Sequence, residues 1–321
     1  MIAGEKMKKF IIRRILTTIP VVLGLVIIVF FIVHLIPGDP ISVMLGREVS
    51  PEAYEALTVK YGFDKPLLQQ FWAWFSRLIH GDLGDSLTLK KPVLDAIAER
   101  LPRSSVVCVL GIALSLLIAL PAGIISALKH NTLTDFNITT VTLLLISLPS
   151  FWFGIILMIV FSVWLPILPS VGYVSPLKGG IWNSLKSMIL PVCTIAAALA
   201  ATTTRLLRTS MLEVLNEDYI KLATMKGNSE RRKLLIHALR NAAIPVFTTV
   251  SMQVAYLLGG EVIIERVFAF PGLGQMLLSA IEKRDYPLIQ GTVLVIALIV
   301  VIINLITDVL YAVIDPRIRL E

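Results

Sequence analysis

Six runs of apolar residues, each long enough to cross a bilayer as a helix, constrain this chain more than anything else in it. A hydrocarbon core of about 30 Å takes roughly 20 apolar residues in helical form. Such runs fall at about 15–36, 104–128, 138–165, 185–207, 244–266 and 288–314. Of the 321 residues, 56% are hydrophobic and only 16% charged; soluble domains carry about 45–50% apolar and about 25% charged residues. A water-soluble fold of this size could not hide so much apolar surface. The reading is an all-α membrane protein with about six transmembrane helices. The first run is too long for the apolar part of a secretory signal, and no small-residue cleavage site precedes Pro37-Gly38-Asp39-Pro40, so it is expected to stay as an anchor.

The net charge of +7 does not indicate nucleic acid, because its distribution follows the apolar runs and no recognition motif accompanies it. Lys6, Lys8, Lys9, Arg13 and Arg14 precede the first run, and Arg231, Arg232 and Lys233 sit in one interior loop. Basic residues in short loops mark the cytoplasmic side. With six spans, the N-terminus, the Lys129-His130 turn, the 208–241 loop and the tail with Arg317 and Arg319 all fall there. The 166–184 loop has Lys178 as its one basic residue and belongs on the opposite side. Both termini are therefore expected in the cytoplasm. Three regions follow: 1–103, an anchor with a small extracytoplasmic segment; 104–314, the transmembrane core including a cytoplasmic hairpin at 208–241; and 315–321, a cytoplasmic tail.

Pro149 and Pro191 interrupt the third and fourth runs and are read as structural kinks, which membrane helices tolerate when neighbours satisfy the freed carbonyls. The 267–287 stretch is either a re-entrant turn or a short interfacial helix. Trp72 and Trp74 suggest a helix resting at the membrane interface, and Gly81-Asp82-Leu83-Gly84 is turn chemistry. No internal repeat supports an inverted-repeat transporter.

The 208–241 loop is patterned rather than passive. Ser210 with Glu213 has the spacing of a capping box, and Leu212, Leu215, Tyr219, Leu222 and Met225 recur at helical spacing. Gly227 should end that helix, and Asn228 or Ser229 should cap a second one over 231–240. A helix–Gly–helix hairpin results, either packed beneath the bundle or offering its apolar stripe to the groove of a partner.

At this point the chain resembles the permease subunits of ABC importers for dipeptides, oligopeptides and nickel. The resemblance runs through Leu35-Ile36-Pro37-Gly38-Asp39-Pro40, Gly81-Asp82-Leu83-Gly84, Glu217-Asp218-Tyr219 to Lys226-Gly227, and His237-Ala238-Leu239-Arg240-Asn241 with Pro245. It continues in Phe270-Pro271-Gly272-Leu273-Gly274, Arg284-Asp285-Tyr286-Pro287 and Asp315-Pro316-Arg317-Ile318-Arg319. It implies a type I importer permease fold and a bacterial plasma (inner) membrane location. It also implies a homologous second permease subunit, two ATP-binding subunits that hold ATP and Mg, and an extracytoplasmic substrate-binding protein. The hairpin then corresponds to a coupling element seated in the ATPase, with Glu217, Asp218, Tyr219, Lys221, Ala223 and Gly227 as its candidate residues. The general importer pattern has Glu-Ala-Ala three residues before this glycine. Here the triplet is Lys221-Leu222-Ala223, a departure that fits the peptide and nickel branch.

The chain holds no phosphate-binding loop of the GxxxxGK[ST] type and no HExxH, so no ATP hydrolysis or metalloprotease chemistry is expected of it alone. Cys108 and Cys193 lie in apolar stretches as packing residues, and His34, His80, His130 and His237 are scattered; no metal site or resident cofactor is expected. His34 is read as a satisfied interfacial residue. Polar groups inside the membrane are expensive and point to function. Thr249, Gln253 and Tyr256 share one helical face, as do Asn304, Asp308 and Tyr311; these stripes either meet substrate or bond neighbouring helices. Arg205 and Asp308 are expected to form an ion pair. Glu261 and Glu265 line an entrance or stand as solvated rim charges, beside Gly259-Gly260, which allow close helix approach. The substrate expected is a short peptide. The alternatives are nickel or a metal chelate in the same family, a secondary transporter driven by protons through Asp308, and a membrane-embedded hydrolase.

Overall fold

A computed structural model describes residues 2–35, 38–45, 50–229 and 232–314. The tail motif at 315–319, Ile36, Pro37 and Arg231 lie outside that set, and the side chain of Tyr311 is likewise not described. Among the described residues the secondary structure is helical. In chain order it comprises α1 (Ile2–His34), α2 (Pro40–Leu45), α3 (Pro51–Tyr61), α4 (Leu67–Ile79), α5 (Val93–Leu128), α6 (Leu133–Ser147), α7 (Ser150–Met158), α8 (Pro176–Leu215), α9 (Asp218–Met225), α10 (Leu239–Gly260), α11 (Val262–Val267), α12 (Leu273–Glu282) and α13 (Tyr286–Ile314). Wider π-type turns follow α7 over Ile159–Trp164 and precede α10 over Lys233–Ala238.

Four of these helices are long and apolar enough to span a bilayer: Ile11–His34, Val93–Leu128, Pro176–Leu215 and Tyr286–Val309. The expected third span is instead a broken pair, 133–147 and 150–164, bent by 102°. The break falls at Leu148 and Pro149; a proline restricts the residue before it to extended conformations, and Leu148 has ψ 134°. Pro191 sits inside α8 without breaking it, and the helix's non-helical residue is instead Gly180, with φ 77°. The expected fifth span becomes α10 and α11, joined at Glu261.

The chain forms two compact units, 1–104 with 271–321, and 105–270. The N-terminal and C-terminal segments therefore share one unit, which a linear division of the sequence does not convey.

In the first unit, α1 packs along α13. Val26, Val29, Phe30 and Val33 are buried at the i, i+3, i+4, i+7 positions of one helical face, and join Leu288, Ile289 and Leu294 in its core. The other faces of α1 expose Leu16, Val21, Ile28 and Ile32. At about 25 cal/mol per Å² of apolar surface, water would oppose that arrangement and hydrocarbon does not. On α4, Trp74 is buried among Phe30 and Phe71 while Trp72 is exposed, since residues two apart on a helix point about 200° apart. The expected interfacial helix thus has one tryptophan in the core and one outside.

In the second unit, α8 is the central element, packed by α6, α7 and α10. Met188, Leu190, Val192 and Ile195 fill one core with Val107, Leu257 and Phe268. Leu207 and Met211 fill another with Ala127, Ile220, Ala238, Ala242 and Val246.

Candidate functional site

The hairpin begins later than its sequence suggests. Ser210 does not cap a helix: it lies inside α8, which runs on to Leu215, and is buried. The burial of Leu207 and Met211 carries the helix through the capping pattern, as tertiary packing routinely overrides local propensity. The chain turns at Asn216 and Glu217, whose carbonyl accepts from the Ile220 and Lys221 N–H groups as α9 opens. α9 ends as expected. Gly227 has φ 74°, and the Asn228 N–H reaches back to the Ala223 carbonyl at 3.3 Å, the six-to-one closure of a Schellman turn. The Ser229 hydroxyl accepts weakly from the Arg232 N–H at 3.4 Å as the second arm starts, and that arm is the π-type segment leading without interruption into α10.

The apolar stripe divides. Leu212 and Leu215 pack against the core around Leu207 and Met211. Tyr219, Leu222 and Met225 face outward, the last two 54% and 85% exposed. The inward face of α9 is Ile220 and Ala223, both buried. Glu217, Asp218, Lys221 and Gly227 are exposed. The Lys221 ammonium lies 2.8 Å from the Asp218 carboxylate; it holds that carboxyl below its usual range, and the lysine is raised in turn. So open an ion pair contributes little to stability.

The two arms are tied by side chains from two of the motif segments. The Asn241 amide donates to the Tyr219 phenol oxygen at 2.7 Å and to the His237 carbonyl at 3.1 Å. The His237 carbonyl belongs to the π-type turn, so one amide fastens that turn and α9 together.

Beside the hairpin lies a cluster that sequence reasoning missed. Asp135, in the first turn of α6, is 4% exposed. Arg208 of α8 grips it with two prongs, Nε to Oδ1 at 2.7 Å and Nη2 to Oδ2 at 2.8 Å. The Ser126 hydroxyl and the Asn131 N–H also donate to it. The His130 Nδ1 lies 3.2 Å from Asp135 Oδ2 and 3.1 Å from Arg208 Nη2; that nitrogen serves one of them at a time, the carboxylate when it carries a proton and the guanidinium when it does not.

In the first unit two motif segments meet, together with the turn that follows Gly81-Asp82-Leu83-Gly84. Asp285 has no exposed surface. Its Oδ2 accepts from the Ser86 hydroxyl at 2.6 Å and from the Thr88 N–H and hydroxyl at 2.9 and 2.7 Å. Its Oδ1 accepts from the Leu288 N–H at 3.2 Å, which makes it the N-cap of α13, with Pro287 in the first turn. The Tyr286 hydroxyl donates to the Gly38 carbonyl at 3.2 Å. Asp39 caps α2 in the same manner, taking the Ile41 and Ser42 N–H groups. Burial pushes its carboxyl up, but the hydrogen bonds from Ser42 and Ile41 outweigh that and hold it below the usual range. His34 is satisfied, with Nδ1 2.8 Å from the Phe30 carbonyl.

The polar stripes are less uniform than their spacing suggests. Thr249 and Gln253 are half-buried while Tyr256 is 70% exposed. Asn304 is exposed and Asp308 half-buried. Asp308 pairs with Arg14 of α1 within the first unit, a partner that the sequence does not name; Arg205, the partner expected from the sequence, belongs to the second unit. From the sequence, the basic residues before the first span speak only to topology. Of the two glutamates, Glu265 is buried rather than a solvated rim charge. The 267–287 stretch contains α12, with Leu273, Met276 and Ala280 buried.

Two family models match the chain. Residues 119–320 match the binding-protein-dependent transport system inner membrane component, and residues 7–108 its N-terminal membrane component. The chain belongs to this family. It is similar to the dipeptide transport system permease protein DppB of Escherichia coli strain K12, with 37% identity over 98% of this chain and 99% of that protein. A putative peptide transport system permease protein of Brucella abortus is 40% identical, over 98% of this chain and all of the relative. The glutathione transport system permease protein GsiC of Escherichia coli O6:H1 is likewise 40% identical, over 98% and 99%. The inner-membrane permease fold and transport role expected from the motifs are thus established for this family member.

Proposed function

We propose that the chain is one of two permease subunits that together form the pathway of an ATP-driven importer of short peptides. In this reading both termini are cytoplasmic, and the hairpin from Asn216 to Asn241 seats in a separate ATP-hydrolysing subunit. The observation that carries it is the split of the stripe. Ile220 and Ala223 fasten α9 to the bundle while Leu222 and Met225 stand uncovered beside the charges of Glu217, Asp218 and Lys221. A helix that only had to pack beneath the bundle has no use for an exposed apolar ridge; a helix that enters a partner's groove needs one. Tyr219 and Gly227 hold the ridge in a fixed attitude, so a push on it moves packed side chains rather than a loose loop.

ATP and Mg are assigned to the partner subunits, and recognition of substrate largely to an extracytoplasmic binding protein. Peptides are favoured over nickel because the relatives are named for dipeptide, peptide and glutathione transport. Thr249, Gln253, Tyr256, Asn304 and Asp308 are proposed for the pathway wall. The test is uptake of a labelled short peptide into proteoliposomes containing the chain with its partner permease, ATPases and binding protein. Uptake that needs internal ATP and persists in a protonophore supports the importer. Uptake by the chain alone, driven by a proton gradient, would replace it with a secondary transporter.

A further inference from the structure

A cleft of about 480 Å³ opens within the first unit. Its walls come from the His34 end of the Ile11–His34 span, the Tyr286 end of the Tyr286–Val309 span, the turn after α3, and α4. Two span ends place it at the level of the membrane surface, where the exposed Trp72 of α4 also belongs. Three cations line it, Lys60, Lys65 and Arg77, against one carboxylate, Asp85. Among the described residues none of the three cations has an ion-pair partner.

A second observation is independent of the charges. Gln290 of α13 is 5% exposed and lines the same cleft. Among the described residues its amide makes no hydrogen bond, and it is not one of the fully enclosed polar atoms, so the little surface it keeps is on the cleft wall. A buried amide normally finds partners. One that reaches a cavity wall without them is placed to donate to whatever enters. The flanks are aromatic, from Trp74 and Tyr286, so glycerol or acyl carbons would meet apolar surface while the head meets charge.

We propose that this cleft binds a phosphate-bearing anion, with an anionic phospholipid headgroup as the source that its position favours. Phosphate suits three cations and an amide donor, since its oxygens accept several hydrogen bonds at once. The bound lipid would tie α4 to the ends of α1 and α13.

The test is native mass spectrometry of the full-length chain in detergent, offered equal phosphatidylglycerol and phosphatidylethanolamine. The wild-type chain should retain the anionic lipid about tenfold over the zwitterionic one, the preference that a few basic groups near a lipid phosphate supply. Replacing Lys60, Lys65 and Arg77 together by Gln removes only exposed charges and should abolish the preference. Replacing the exposed Lys129, Lys178 and Arg240 by Gln, all in the second unit, should leave it intact. Gln290→Leu, which keeps the cations and removes the amide, should weaken retention. Added glycerol 3-phosphate separates the sources: displacement of the lipid makes a soluble phosphate compound the competing ligand, and persistence assigns the site to lipid. No preference in the wild-type chain, or equal loss in both triple variants, overturns the proposal.

Discussion

Arg208 and Asp135 meet as a two-pronged ion pair across 73 residues of chain, at the point where α8 leaves the bundle for the hairpin. The carboxylate is the buried partner and collects Ser126, Asn131 and His130 as well. It ties the turn between α5 and α6 to the helix that leads into α9, so any displacement of α9 along α8 must carry this turn with it or break the pair.

Breaking one side of that pair should therefore be costly in both stability and coupling. Arg208→Leu leaves a buried carboxylate without its main partner, a loss of about 3–5 kcal/mol in comparable buried pairs. Asp135→Asn with Arg208→Gln removes both charges while leaving polar side chains at both positions, and should recover a substantial part of it. Thermal unfolding of the detergent-solubilised chain measures the recovery. Equal destabilisation by the single and double variants would mean that the pairing is not what holds the turn.

Gly227 separates backbone strain from contact. A Cβ built there meets nothing of this chain within 4 Å, so within the chain any effect of substitution comes from its φ of 74°. Gly227→Val should cost about 1–2 kcal/mol locally and impair transport while membrane insertion is retained. Gly227→Asn, which tolerates the left-handed region, should be close to normal. Uptake by reconstituted complexes, compared with the amount of inserted chain, reads the difference. If the Val variant transports normally, the shape of this turn is irrelevant to coupling.

Asp285 supports a sharper expectation. In Asp285→Asn the amide oxygen can still accept from Ser86 and Thr88, but the amide nitrogen then faces the Leu288 N–H, a donor against a donor. One buried group left unpaired costs about 1–3 kcal/mol. The variant should show a lowered unfolding midpoint and faster proteolysis of the 40–92 segment, with the hairpin between Asn216 and Asn241 no more accessible than before. Cleavage that rose equally in both places would argue against a local role.

How far the sequence reveals this architecture depends on the range of each interaction. The apolar runs and Gly227 are legible because hydropathy and left-handed turns are local properties. The capping-box reading of Ser210 failed since the pattern is local too, and the distant burial of Leu207 and Met211 overrode it. Pro149 announces a break without giving the 102° bend, which depends on how α6 and α7 each pack on α8. Asp135 with Arg208, and Asp285 with Ser86 and Thr88, join segments 73 and nearly 200 residues apart. A lone acid in a sequence does not name its base. The motif segments around Tyr286, Tyr219 and Asn241 mark the right places, but only the fold shows that Tyr286 bonds to Gly38 and Asn241 to Tyr219.

Asp308 decides between the importer and its rival mechanism. A proton-driven transporter would need this carboxylate to take up and release protons in each cycle, so Asp308→Asn would abolish uptake. In the structure Asp308 instead joins α13 to α1 through Arg14, both side chains partly exposed, and such pairs contribute about 0–1 kcal/mol. Asp308→Asn should therefore retain ATP-dependent uptake within about fivefold, the factor that 1 kcal/mol represents. Arg14→Gln should give the same modest loss, and the double variant no more than either alone, because they remove one shared contact. Abolished uptake in Asp308→Asn together with near-normal uptake in Arg14→Gln would give the carboxylate a role of its own and favour the proton-driven mechanism.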